Sequence, residues 1–127
     1  MNSLIGIWMY TSLIFQGQPM PKPNPDLHMY FTFESAGQNE IFYYRRGENG
    51  FCKRRADYRI EGNLIHQKIT WVDPQNADFC SQDSDMRMGG ESAVKFEIVD
   101  DKFYLHLPLG EDVLTYVWER NTPEVGK

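Results

Sequence analysis

The chain has 127 residues, of which 41% are hydrophobic and 14% aromatic. That suits one domain, residues 1–127, with a packed core, and excludes a disordered chain. A formal charge of −5 argues against a dedicated nucleic-acid binder.

Leu4–Phe15 reads as the first strand, rich in β-branched, aromatic and apolar residues. It is the longest apolar run, yet Gly6, Tyr10, Thr11 and Ser12 interrupt it, so it is too short and polar for a membrane span. It also lacks the basic flank and small-residue cleavage site of a signal peptide. Next comes a segment with prolines at 19, 21, 23 and 25. An amide donor is missing at every second residue, which predicts an extended loop across a barrel mouth that stays out of the sheet.

Leu27–Glu34 alternates cleanly, with Leu27, Met29, Phe31 and Phe33 on one face. Glu40–Arg46 is the third strand. Phe51–Ile60 is the fourth, with Cys52, Ala56, Tyr58 and Ile60 pointing inward. Glu61-Gly62-Asn63 turns into Leu64–Val72, where Ile65, Ile69 and Trp71 share a face. Asp73 to Ser84 is polar and irregular, and Asp85–Met88 starts a sixth strand broken by Gly89-Gly90. Its clear run is Ser92–Val99. Lys102–Leu107, with Phe103, Leu105 and Leu107 on one face, and Val113–Arg120 complete eight strands, and the tail after Asn121 is expected to fray. Short sequential connections favour an all-β, eight-stranded antiparallel up-and-down β-barrel.

The first strand carries Gly6-x-Trp8 and the last ends in Arg120. With those residues set on this meander, the chain resembles the calycin superfamily, and within it a short bacterial lipocalin-like protein. The resemblance implies that Gly6 lets the strand bend, Trp8 plugs the barrel base, and Arg120 lies across the indole. A cation over an indole face is worth ~0.5–2 kcal/mol. A second lipocalin motif of the Thr-Asp-Tyr type is not present between Val99 and Lys102.

Cys52 and Cys80 are the only cysteines, and no Cys-x-x-Cys offers a zinc or redox motif. Two free buried thiols and one disulfide are the alternatives. The disulfide is the sharper reading: it closes a loop of about 29 residues, worth on the order of 3.5 kcal/mol in a chain-entropy account. It also favours an oxidising compartment, periplasmic or secreted, with any leader already removed; a cytoplasmic protein is the alternative.

His28, His66 and His106 fall on separate strands, so no metal site is expected. Hydrolase, metalloprotease, P-loop and dinucleotide fingerprints do not occur, so no catalytic residues and no cofactor are assigned. Between Arg45 and Arg59 six cations face two carboxylates, Glu48 and Asp57, which reads as a solvated outer face or a docking patch for an acidic partner. Arg54 shares parity with Cys52, Ala56 and Tyr58 and therefore points inward, where it needs a partner or an anion.

The expected function is non-enzymatic binding of a small hydrophobic or amphiphilic molecule inside the barrel. Met29, Phe31, Tyr58 and Phe103 are the expected lining and Arg54 the polar anchor. The competing class is a protein-partner module, such as a periplasmic protease inhibitor acting through the barrel rim. Too few residues precede Leu4-Ile5 for an inserting N-terminal arm, which places that class second. An eight-stranded barrel is wide enough either to be filled by side chains or to hold one small ligand, so the sequence leaves the interior open to both.

Overall fold

The computed structural model describes residues 4–121, and the tail expected to fray after Asn121 lies outside them. Nine strands run in sequence: β1 Gly6–Phe15, β2 Gln18–Pro21, β3 Leu27–Phe33, β4 Gln38–Arg45, β5 Cys52–Glu61, β6 Leu64–Val72, β7 Glu91–Val99, β8 Lys102–Leu109 and β9 Asp112–Arg120. Each of the eight longer strands pairs antiparallel with its neighbours, and β1 with β9 closes the ring. The expected up-and-down barrel is therefore the observed fold. β2 lies outside that ring as a flap on β1.

The proline segment departs from expectation. Gln18–Pro21 joins the sheet after all, paired with Ser12–Phe15 through a turn at Gln16 (φ 52°) and Gly17 (φ 75°). Pro removes a donor, but on an edge strand the missing donor can face solvent, so alternate prolines do not forbid one-sided pairing. The loop that follows is tied back where Lys22 Nζ donates to the Leu27 carbonyl at 2.7 Å.

Two β-bulges re-aim side chains. One lies between Tyr10 and Ser12 on β1, keeping Trp8, Tyr10 and Leu13 all buried despite their mixed parity. The other shifts the β5–β6 register between Arg55 and Ala56, so Arg54 faces Val72 and Arg55 faces Trp71. Trp71 is consequently outward and 39% exposed, not inward with Ile65 and Ile69. An extra residue in one strand reverses alternation beyond it, which a period-2 reading cannot anticipate. Ile60 keeps the inward parity, opposite the buried Ile65, but stands beside the hairpin turn that ends β5 and is also exposed.

The segment Asp85–Met88 is not the start of a strand. Asp78–Gln82 and Ser84–Met86 form two short 3-10 turns inside the long β6–β7 connection. That connection is fastened to the barrel at several points. Cys80 is disulfide-bonded to Cys52, and Asn76 brackets Lys53 by accepting from its amide at 2.8 Å and donating to its carbonyl at 3.1 Å. The Ala77 amide donates to the Phe51 carbonyl at 3.1 Å. Met86, 3% exposed, drops into the core.

One end of the barrel is shut by aromatic packing. Trp8, Phe31, Phe33, Phe103 and Trp118 are each 2% exposed or less. Phe103 meets Trp8 at 5.4 Å and Phe33 edge-on at 5.8 Å between ring centroids. Burying rings of this size supplies much of the hydrophobic stabilisation of a small domain.

Candidate functional site

The closed end is built as the sequence motif predicts. The Arg120 guanidinium lies 4.1 Å from the Trp8 ring centroid. Its Nη1 donates to the Ile5 carbonyl at 3.0 Å, and its Nε approaches Asp101 at 3.5 Å. The Trp8 indole N–H donates to the Leu4 carbonyl at 2.9 Å. Gly6 sits at φ +132°, and a Cβ there would come within 2.9 Å of the Arg120 guanidinium. The glycine is needed for space as well as for backbone conformation.

Above this aromatic floor a polar chain crosses the interior. Arg54, fully buried, donates through Nη1 to Asn39 Oδ1 and through Nε to the Asp85 carbonyl at 3.2 Å. Asn39, equally buried, donates to Gln67 Oε1 at 2.9 Å, and Gln67 Nε2 donates to Ser92 Oγ at 3.2 Å. The guanidinium also lies 5.5 Å from the Phe31 ring centroid. Burial brings the Arg54 pKa down to about 10, with Asp85 and Asp83 acting in the opposite sense. A buried cation is costly unless it is hydrogen-bonded, which accounts for its neutral partners.

The other end of the barrel opens into a cavity of about 400 Å³. Its apolar wall includes Leu13, Leu27, Met29, Ile41, Leu105 and Leu114, contributed by β1, β3, β4, β8 and β9. Tyr10, Tyr43, Tyr116 and Trp118 add aromatic surface. Pro23 and Asn24 border it from the proline loop, and Asp83 and Asp85 from the β6–β7 connection. The Tyr43 hydroxyl donates to Asp83 Oδ2 at 2.8 Å, while Asp83 Oδ1 accepts the Asp85 amide at 2.9 Å. Burial raises the Tyr10 pKa to about 12, with Tyr116 adding to the shift. Burial also raises the Tyr43 and Tyr116 hydroxyls, with Asp83 and Asp85 reinforcing both shifts. Asp85 retains solvent access through the mouth, yet the protein around it and the nearby Asp83 carboxylate raise its pKa, partly offset by Arg54.

Of the five residues expected to line a ligand site, Met29 borders this cavity. Phe31 and Phe103 belong to the floor. Arg54 lies behind the wall, and the Tyr58 hydroxyl donates to the Glu34 carbonyl at 2.9 Å near the closed end. Sequence reasoning missed Asp83 and Asp85 because it treated their loop as solvated. The covalent tie expected between Cys52 and Cys80 is present, and it is the signal that could have brought that loop back to the barrel.

The histidines do not converge. His28 stacks on Tyr44 at 5.1 Å between centroids, His66 approaches Glu61 at 3.2 Å, and His106 bridges Thr115 and Glu97 at 2.9 Å each. Three of the six cations in the basic stretch, Lys53, Arg55 and Arg59, are ion-paired on the outer face, while Arg54 is buried and Arg45 borders the cavity. Arg55 reaches Glu34 at 3.0 Å and Glu40 at 3.2 Å, and Arg59 reaches Glu61 at 3.5 Å.

No protein-family model and no curated protein sequence matches the chain. Solved structures do. A lipocalin-like protein from Bacteroides uniformis superposes with a TM-score of 0.60 at 15% identity, covering 94% of this chain and 100% of that one. A fatty acid transporter, REP1-NXSQ, gives a TM-score of 0.50 at 16% identity, covering 95% of this chain and 98% of that one. The chain thus has a lipocalin-like, closed antiparallel barrel fold. No helix among the described residues is long and apolar enough to cross a membrane.

Proposed function

We propose that the protein is a non-enzymatic binding protein that takes a small hydrophobic or amphiphilic molecule into the open half of its barrel. The observation that carries this reading is the cavity of about 400 Å³ above a sealed aromatic floor. That volume lies within the roughly 300–1,000 Å³ of small-molecule sites, and the wall has the expected composition of apolar side chains with a few polar groups. Met29, Ile41, Leu105 and Leu114 supply the burial; Tyr43 and Tyr116 supply hydroxyls. A barrel of the same fold bearing a fatty acid transporter's name is in keeping with apolar cargo. The disulfide supports a non-reducing compartment, and we assign the protein to the periplasm or the secreted fraction.

Native mass spectrometry of freshly purified protein tests the reading directly, together with titration of the neutral apolar dye Nile red. A copurifying small molecule, or saturable dye fluorescence, is the expected result. Absence of both would move a protein-partner module acting through the rim to first place, a reading that a completely filled barrel would have favoured.

A further inference from the structure

The donors at the inner end of the cavity narrow the cargo, an inference that rests on the binding function proposed above. Trp118 is 1% exposed and borders the cavity, yet its indole N–H has no acceptor among the described residues. An indole nitrogen donates and does not accept. A buried donor left unpaired costs stability, so an occupant that brings it an acceptor recovers a hydrogen bond.

Trp118 stands at the level of the aromatic floor. It pairs with Tyr10 of β1 and Phe103 of β8, and its ring lies 5.6 Å from that of Phe31, centroid to centroid. Tyr10 lies 5.7 Å from Trp118 and 5.2 Å from Tyr116, and all three border the cavity. Neither tyrosine hydroxyl makes a hydrogen bond among the described residues. Burial raises the pKa of both, so at neutral pH they stay protonated and able to donate. One wall thus offers an indole N–H and two phenolic hydroxyls.

The charges that border the cavity are of both signs and stand higher. Arg45 lines it together with Asp83 and Asp85. On β4, Ile41 pairs with Phe31 of the floor and Arg45 pairs with Leu27. At about 3.3 Å per residue, that places the Arg45 backbone roughly 13 Å further along the strand. Its guanidinium lies 5.8 Å from the Tyr43 centroid and 5.5 Å from that of Phe79, while the Tyr43 hydroxyl donates to Asp83. A guanidinium beside two carboxylates gives the mouth no preference for either sign of head group. Arg54 and Arg120 flank the floor rings Phe31 and Trp8, but neither borders the cavity, although Arg54 Nη2 has no partner. At the inner end a carboxylate would be buried without an ion-pair partner, and an ammonium would set donors against a donor.

We infer that the cavity takes an apolar molecule whose inner end carries an uncharged oxygen acceptor, a ketone or ester carbonyl, to which the Trp118 N–H donates with the Tyr10 and Tyr116 hydroxyls alongside.

The test uses the full chain at neutral pH, with Nile red displaced by methyl octyl ketone, decylamine or decanoate. These have the same number of carbons and differ in the head. The ketone should displace the dye at concentrations about tenfold or more below those of the other two, because either charge must be desolvated at the inner end. In heteronuclear NMR spectra of the parent, the ketone should move the Trp118 indole N–H signal downfield and decylamine should not. Trp118→Phe keeps a ring and removes the N–H, and should weaken the ketone by about three- to tenfold, the worth of one hydrogen bond. Trp71→Phe removes an exposed indole of β6 and should leave all three ligands as they were. Equal or tighter displacement by decanoate or decylamine overturns the inference while leaving the binding function intact. So does an indole signal unmoved by bound ketone, a result that needs only the parent chain and holds even where Trp118→Phe does not fold. A ketone that binds Trp118→Phe as tightly as the parent, or that leaves bound dye in place, overturns it as well. If neither the dye nor any of the three ligands binds, the binding function itself fails and takes this inference with it.

Discussion

Arg120 is the residue on which the closed end turns. It covers the Trp8 ring, bonds the Ile5 carbonyl and approaches Asp101, so three chain segments meet at one guanidinium. Gly6→Ala should displace it, because the added methyl competes for the same space at a backbone angle that alanine resists. A loss of about 1–3 kcal/mol is expected, read from urea denaturation followed by tryptophan fluorescence. Trp8→Ala should cost ~3–5 kcal/mol as a large-to-small core change. A Gly6→Ala protein as stable as the parent would mean that the close approach is easily relieved. This corner was legible in the sequence because its residues act as a motif, each with its own physical task. Asp85 was not legible, since nothing local distinguishes it from Asp83 or Asp78. Its raised pKa carries a sign that can be checked. The folded protein holds a proton on Asp85 at pH values where the unfolded chain, with a carboxyl pKa of roughly 3.9, has released it. Stability attributable to this group is therefore greatest in acid and declines as pH rises through its folded pKa. Asp85→Asn should stabilise the protein at neutral pH, and the difference in midpoint should shrink as pH falls towards the unfolded value. A neutral-pH midpoint below that of the parent would contradict this account.

At the scale of elements, the β6–β7 connection turned out to matter more than the sequence pattern suggested. Composition marked it as polar and irregular, which it is, but composition does not report where a loop is tied. The Cys52–Cys80 bond and the Asn76 hydrogen bonds fold it over β5, so that Asp83 and Asp85 become wall and Met86 becomes core. The strands themselves were read well wherever alternation was undisturbed, as in Leu27–Phe33 and Lys102–Leu107. Reading failed at the bulge that turns Trp71 outward and at the Gln18–Pro21 flap, where edge pairing tolerates proline. Replacing both cysteines by serine should lower stability by about 3.5 kcal/mol through the released loop entropy. Nile red binding should weaken in the same variant, because part of the cavity wall loses its tether. Thiol titration of the denatured, unreduced parent should find no free sulfhydryl. Loss of stability with dye binding untouched would place the loop outside the functional wall.

The whole molecule divides its interior in two. Eight strands leave room either for side chains or for one small guest, and this barrel is filled at one end and open at the other. Parity alone could not separate them, because Phe31 and Met29 share a face and differ only in height along β3. What decides is the partner at each level. Phe31 lies opposite Trp8 on β1 and packs on Phe33, Phe103 and Trp118, whereas Met29 lies beyond the last β1–β3 pair, beside the cavity. Floor and cavity should therefore respond differently to substitution. Phe103→Ala removes a ring that meets five others at 6.2 Å or less, and should cost ~3–5 kcal/mol. Met29→Trp and Leu105→Trp add volume at the cavity wall, where space exists to receive it, so their urea midpoints should stay close to that of the parent. Their Nile red affinity should nevertheless fall by about tenfold or more, since an added indole occupies the space of the guest. The same contrast has a thermodynamic counterpart. A ligand at 100 times its Kd adds about 2.7 kcal/mol to the stability of the parent and raises its Tm, and it should do much less for the two cavity-filled variants. Variants that keep both stability and undiminished dye affinity would show that the guest sits elsewhere on the molecule.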